Sequence, residues 1–259
     1  MKLFYKIAIL LLLVCSSIPL FAQFDTEEID TLENMILYNR ETTYAVVLHN
    51  LGIGFQYRTG KRINYFKTRM IEAEFFTMRS YKQVKIINPY VPDSRKYVYG
   101  KLNDAFFLRL GMVWKKLLNR KPYWGGVELR ANYGGGLSLG FAKPYYLYVM
   151  YFYEYPGGGW YYTKREERFD PSQQSWDDIY GRAPFSTGLG EITVHPGIYL
   201  KAGLNCEYGK RSTKIKAIEI GGSLDILPTG LSIMAVNTDQ IIFPSVYLNF
   251  SFGKRFNKY

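Results

Sequence analysis

Two histidines and two cysteines in 259 residues leave little material for metal or thiol chemistry. No HExxH, CxxC or GxSxG spacing occurs, so the sequence offers no catalytic, cofactor-binding or metal-ligating set, and a non-enzymatic role is expected. Cys15 falls in a leader that export would remove. Cys206 is then left without an internal disulfide partner, which allows an oxidising compartment without requiring one. Long apolar runs are also missing: beyond the leader nothing approaches the roughly 20 consecutive apolar residues of a membrane-spanning helix.

The leader itself begins with Lys2 and Lys6, continues through an apolar stretch from Ile7 to Val14, and closes on Ser16, Ser17, Pro19, Leu20, Phe21 and Ala22. This is the pattern of a secretory signal peptide over residues 1–22. Val14 before Cys15 does not fit the small residue that precedes a lipidated cysteine. A short periplasmic segment, 23–32, is expected to follow, with the folded domain at 33–259.

The chain is rich in aromatic residues and glycine: 24 Tyr, 17 Phe and 24 Gly. Membrane β-barrels use aromatics as girdles at both interfaces and glycines where the lumen is crowded. The formal charge of +11 falls to +9 once Lys2 and Lys6 leave with the signal. A basic surface suits lipopolysaccharide phosphates or acidic partners, and export argues against nucleic acid.

The strongest signal is a two-residue hydrophobic period. From Val127 to Phe141 the odd positions include Leu129, Ala131, Tyr133, Leu137 and Leu139, and the even ones Glu128, Arg130, Asn132 and Ser138. The same alternation runs through Phe106–Lys115, Ile198–Tyr208, Ile218–Ile226 and Val246–Gly253. It is less clean in Thr43–Arg58 and Ile63–Met78, and a weak strand near Glu33–Asn39 is required by even parity. The expected fold is all-β: a transmembrane, antiparallel, up-and-down β-barrel of about eight strands with both termini periplasmic. A soluble eight-stranded barrel or sandwich is the competing architecture. Tight turns near 59–62, 119–124 and 209–212 fall on the periplasmic side. Long connections near 80–103, 153–192 and 228–243 fall outside.

An eight-stranded barrel is only wide enough for side chains to fill it. The polar face carries Arg58, Glu72, Glu74, Arg109, Glu128, Arg130, Lys201, Glu207, Glu219 and Asp225. Nearly balanced buried charges imply a plug of ion pairs and not a channel. The long external loop holds Trp160, Tyr161, Tyr162, Trp176 and Tyr180 among charged residues, the composition of a protein or glycan contact or of a self-packed loop. His195, with Ser186 and Glu191 upstream, sits where a rim lipid hydrolase would need such groups, but the spacing is not a motif. His49 falls where the strand register is ambiguous. Gly134–Gly136 reads as a bulge or bend in the wall, and Gly157–Gly159 as loop punctuation.

Three stretches carry a family resemblance: Phe21-Ala22-Gln23, Tyr97-Val98-Tyr99-Gly100-Lys101-Leu102-Asn103, and Asn119-Arg120-Lys121-Pro122-Tyr123-Trp124-Gly125-Gly126-Val127-Glu128. In them the chain resembles small outer-membrane barrel proteins of the Bacteroidota. The resemblance implies an outer-membrane location, and through it an accessory or structural subunit of an envelope machine such as secretion or barrel assembly. Outer-membrane lipid, lipopolysaccharide and another outer-membrane protein or lipoprotein are the implied partners. A lipid-modifying enzyme and a surface adhesin are the alternatives.

Overall fold

A computed structural model describes residues 38–120, 126–209, 213–236 and 239–257. The leader and the segment 23–32 lie outside the described residues. The strands are β1 (Arg40–His49), β2 (Gly52–Arg62), β3 (Lys67–Met78), β4 (Lys85–Ile86), β5 (Tyr97–Val98), β6 (Asn103–Asn119), β7 (Glu128–Pro144), β8 (Tyr146–Glu154), β9 (Trp160–Arg168), β10 (Ile179–Arg182), β11 (Thr193–Glu207), β12 (Lys214–Leu231) and β13 (Gln240–Phe256). Eight of them close a barrel in the order β1-β13-β12-β11-β7-β6-β3-β2, each antiparallel to the next in sequence around the ring. It is an all-β, up-and-down barrel.

The alternation explains the closure. Val46, Leu48, Ile53, Phe55, Ile71, Phe75, Leu110, Leu137, Leu200, Ile220 and Val246 are all exposed on the outer wall, while the alternate positions are buried. A soluble barrel or sandwich would bury the apolar set, so the wall is inside-out for water and suited to hydrocarbon.

Two elements differ from the sequence expectation. Thr43–Arg58 is not one strand: the chain turns at Asn50–Leu51, giving β1 and β2 paired His49 with Gly52 through Arg40 with Lys61. The eighth strand comes from this split. Of the expected strand near Glu33–Asn39, only Tyr38 and Asn39 are described, and neither is in a strand. Second, β7 leaves the barrel at Pro144, which has no N–H to continue the ladder. The residues that follow build a separate three-stranded sheet in the order β10-β8-β9. The long connections accordingly run 79–102, 145–192 and 232–239, and all leave from the end opposite the termini.

Gly134–Gly136 is not a bulge, since β7 keeps an unbroken register with both neighbours there. Glycine is needed on the inner face to admit two tyrosines. Gly111 lies opposite Gly136 beneath Tyr199, and Gly203 opposite Gly221 beneath Tyr247. A Cβ on Gly221 would lie 2.6 Å from the Tyr247 hydroxyl and 2.3 Å from the Ala202 carbonyl oxygen. Gly221→Val is expected to destabilise the barrel by about 3 kcal/mol through overpacking and displacement of Tyr247. Urea titration of the refolded protein in lipid vesicles reads this directly.

Candidate functional site: a filled lumen and an external sheet

The inner face is filled in layers. Near the mouth opposite the termini an apolar cluster closes the bore, with Phe76, Met78, Phe107, Leu227, Leu231 and Phe243 buried together. Below it lies a continuous ionic layer. The Arg58 guanidinium donates to Glu72 (2.6 Å) and to both oxygens of Glu219 (2.5 and 3.1 Å). Glu219 also accepts from the Tyr247 hydroxyl and the Asn132 amide, each at 2.7 Å. Arg109 donates to Glu74 (2.9 Å) and to both oxygens of Asp225, which Ser138 also reaches at 2.7 Å. Lys201 joins Glu74 and Glu72. Glu74 takes further contacts from His49 (3.0 Å) and Gln56 (2.6 Å).

A second layer sits at the end bearing the termini. Glu41 lies between Lys115 and Arg255, Arg255 also binds Glu207, and Arg130 pairs with Glu128. All ten lumen residues singled out in the sequence project into these two layers. Sequence reasoning missed Glu41, His49 and Arg255, and put Lys115, Tyr199 and Tyr247 on the inner face without assigning them to the network. Reading β1 and β2 as one strand hid Glu41 and His49. Arg255 simply extends the inner face already visible at Tyr247–Gly253.

Burial sets the energetics of these layers. Replacing a complete ion pair with apolar groups can be nearly neutral, whereas removing one partner strands a charge away from water. The network therefore locks the wall and blocks the bore, and no water-filled path is needed to explain any of its charges.

The external sheet packs through Tyr145, Leu147, Phe169 and Ile179 onto Tyr97, with Ile86 and Leu102 partly buried alongside. Asn88 ties it to the loop between β3 and β6, donating to the carbonyls of Asp177 (2.7 Å) and Ile179 (3.0 Å). Burial pushes the Tyr97 phenol up to about 12. Hydrogen bonds to Glu191, Glu166 and Glu167 raise Tyr146, Tyr148 and Tyr151 as well. A fold that favours the neutral phenol is fully stabilised below about pH 10, and that contribution disappears as pH climbs through the raised value near 12. Cleavage of residues 145–192 by an alkaline-active protease is therefore expected to accelerate between pH 10 and 12 while the barrel stays intact. Equal rates across that window would contradict it.

The five aromatic candidates do not form one cluster. Trp160, Tyr161 and Tyr162 share the exposed far end of the β8–β9 hairpin, beyond the Gly157–Gly159 tip. Trp176 instead contacts Tyr90 at 5.5 Å, and Tyr180 is linked to Tyr162 only through the Lys164 ammonium, 3.2 Å from the Tyr180 ring and 5.7 Å from that of Tyr162. His195 is held between the hydroxyls of Thr193 and Thr229, both at 3.1 Å, and Glu191 accepts from Tyr146. Among the described residues no serine hydroxyl contacts His195. The cleft that His195 lines, about 610 Å³, includes Glu167, Glu191 and Asp239, each already taken by Tyr151, Tyr146 and Ser232.

The hairpin has one further property. Tyr155 N–H donates to the Gly159 carbonyl and Phe169 N–H to the Tyr145 carbonyl, which fixes the phase of the β8–β9 ladder. The odd residues of β9 bond inward to β8, and the backbone groups of Trp160, Tyr162, Lys164 and Glu166 point to the free edge. Only Arg168 differs, its carbonyl accepting from the Gln174 side chain at 3.2 Å. Sequence alone could not show this, because phase depends on which neighbour a strand lacks.

No protein-family model matches the chain, and no curated protein matches it in sequence. Among solved structures, surface protein A of Neisseria aligns at 11% identity over 85% of this chain and 97% of its own, with a TM-score of 0.40. The attachment invasion locus protein Ail of Yersinia pestis aligns at 11% identity over 85% of this chain and 100% of its own, with a TM-score of 0.36.

Proposed function

We propose that this chain is an integral outer-membrane barrel without enzymatic activity that serves as an accessory subunit, docking another envelope protein on its external sheet. The observation that carries the reading is the free edge of β9. A filled bore leaves the outer surface as the working part, and an unpaired edge flanked by aromatic side chains is the geometry of strand addition: main-chain hydrogen bonds give affinity and alternate side chains give selectivity. Natural sheets commonly blunt or cover long edges. Here β10 pairs with β8 only at Leu147–Val149, and β9 stays open along its length up to Glu166.

The wall supports the location in this reading: an apolar exterior on a closed barrel suits a bilayer, and short turns at one end with long connections at the other are the pattern of periplasmic termini. Partners of this reading are outer-membrane lipid, lipopolysaccharide and an outer-membrane protein or lipoprotein, with secretion or barrel-assembly machinery as the candidate machines.

A tagged chromosomal copy, extracted in gentle detergent, is expected to bring down one envelope protein in stoichiometric amount, read by mass spectrometry and native sizing. Recovery at monomer mass in several detergents would sink the reading. The exposed Trp160, Tyr161 and Tyr162 tip favours a second reading, a surface adhesin, in which the purified barrel alone binds glycan or host protein. For the enzyme alternative, His195→Ala is expected to leave membrane lipid composition unchanged.

A further inference from the structure

The outer wall at the end bearing the termini is cationic in a way the lumen does not explain. Arg40 on β1, Lys61 on β2 and Arg69 on β3 are directly opposed in one row, Lys67 faces Lys116 across β3 and β6, and Lys214 faces Lys254 across β12 and β13. All seven occupy outward positions and are exposed. They span six consecutive strands of the ring, β12-β13-β1-β2-β3-β6, interrupted only at β7 and β11.

The strand carboxylates cannot offset this charge. Glu41, Glu72, Glu74, Glu128, Glu207, Glu219 and Asp225 all point inward and are committed to the lumen pairs. Among the described residues, none of the seven outer cations has a carboxylate within salt-bridge distance. Like charges directly opposed across a ladder destabilise it unless counter-charge lies between them.

The height of the arc indicates where that counter-charge comes from. Moving from the arc toward the middle of the wall, Trp114 and Phe252 are the next outward residues after Lys116 and Lys254. Tyr44 and Tyr57 come one outward position further in, past Thr42 and Thr59, and on β3 Ile71 follows Arg69 directly. Tyr44 lies 5.1 Å from Tyr57 and opposite Phe252, and Trp114 stacks on Tyr133 at 6.1 Å. Such girdles sit at the headgroup level of a bilayer. Beyond them come Val46, Phe55, Ile71 and Leu110, the hydrocarbon-facing band. The cations therefore stand at the depth of lipid phosphates in the leaflet on the side of the termini.

We infer that this arc is a binding site for the phosphate groups of anionic phospholipids in that leaflet, each bridging a pair of opposed cations. The site anchors the barrel at a fixed depth and rotation. The inference rests on the lipid-facing wall and not on the docking reading, so a failed pull-down leaves it standing.

Native mass spectrometry of the full chain tests it, with equal amounts of phosphatidylglycerol and phosphatidylcholine of the same acyl chains in a zwitterionic detergent. The wild type is expected to retain phosphatidylglycerol at about fivefold enrichment or more, by the attraction of clustered cations to anionic lipid. Lys61→Gln, Arg69→Gln, Lys116→Gln and Lys254→Gln combined should bring the ratio close to one. Lys61→Arg, Lys116→Arg and Lys254→Arg combined should keep it high, which separates charge from packing. Only protein that shows the heat-modifiable mobility of a folded barrel is scored. No enrichment in the wild type, or undiminished enrichment in the quadruple variant, overturns the site. Displacement of the lipid by millimolar inorganic phosphate would mark a free-anion site and overturn the lipid assignment.

Discussion

Replacing Arg58 with Met is expected to lower the stability of the folded barrel by about 3–5 kcal/mol, because it strands Glu219 in the lumen and leaves Glu72 with only the shared Lys201 ammonium as a cationic partner. Arg58 is 1% exposed and spans the bore from β2 to β3 and β12. Glu219 keeps Tyr247 and Asn132, both neutral donors, and Glu72 keeps Tyr199 and the Lys201 ammonium at 3.5 Å, which Glu74 shares. Neutral hydrogen bonds alone do not offset the buried Glu219 charge, and a shared ammonium offsets Glu72 only in part. The double variant Arg58→Met with Glu219→Leu is expected to recover part of the loss, since the stranded Glu219 charge goes with it. Urea midpoints in lipid vesicles measure both. Lys85→Met, on exposed β4, serves as the neutral control. A loss under about 1 kcal/mol for Arg58→Met would mean water reaches this layer and the bore is not filled.

Tyr162→Pro is expected to abolish capture of the partner protein while leaving the hairpin folded. The Tyr162 N–H points to the free edge of β9, so proline there removes no bond to β8 but withdraws a donor from any added strand. Tyr162→Val keeps that donor and removes only the aromatic ring. Valine is therefore expected to reduce recovery modestly, and proline by about tenfold or more, the cost of a lost ladder bond plus the steric block. Equal losses in the two variants would assign recognition to the ring and not to the edge. Thr163→Pro, whose N–H bonds inward, should disorder the hairpin and marks the difference between folding and docking.

Much of the architecture was legible because a strand in a barrel wall reports its environment at every second residue. Val127–Phe141 announces both its lipid face and its lumen face, and the ten lumen charges could be drawn from such runs alone. The boundary at Asn50–Leu51 was not legible, since the turn carries no glycine-asparagine pair or proline to mark it and apolar residues continue on both sides. The run from Gly125 to Phe152 likewise reads as one strand, although Pro144 and the pairing of β8 with β9 and β10 divide it. Alternation specifies the faces of a strand but not the sheet to which it belongs.

The candidate site was less legible than the fold. Trp160, Tyr161, Tyr162, Trp176 and Tyr180 were visible as a composition, yet only the first three adjoin directly: Tyr180 joins Tyr162 through the Lys164 ammonium between them, and Trp176 is drawn onto Tyr90. The open edge of β9 is a property of pairing and has no residue signature. The cationic arc is different: its residues stand at the ends of alternating runs and were counted only as net charge. Their significance depends on knowing that every strand carboxylate near them points inward.

The measurement that tests the filled-barrel account most directly is conductance across a planar bilayer containing the purified protein. Among the described residues the two ionic layers and the apolar cluster at Phe76, Phe107 and Phe243 fill the bore, so the predicted result is a flat trace over a wide voltage range. Steady, reproducible conductance steps from folded protein would contradict it, and would move the function from the external sheet back into the bore.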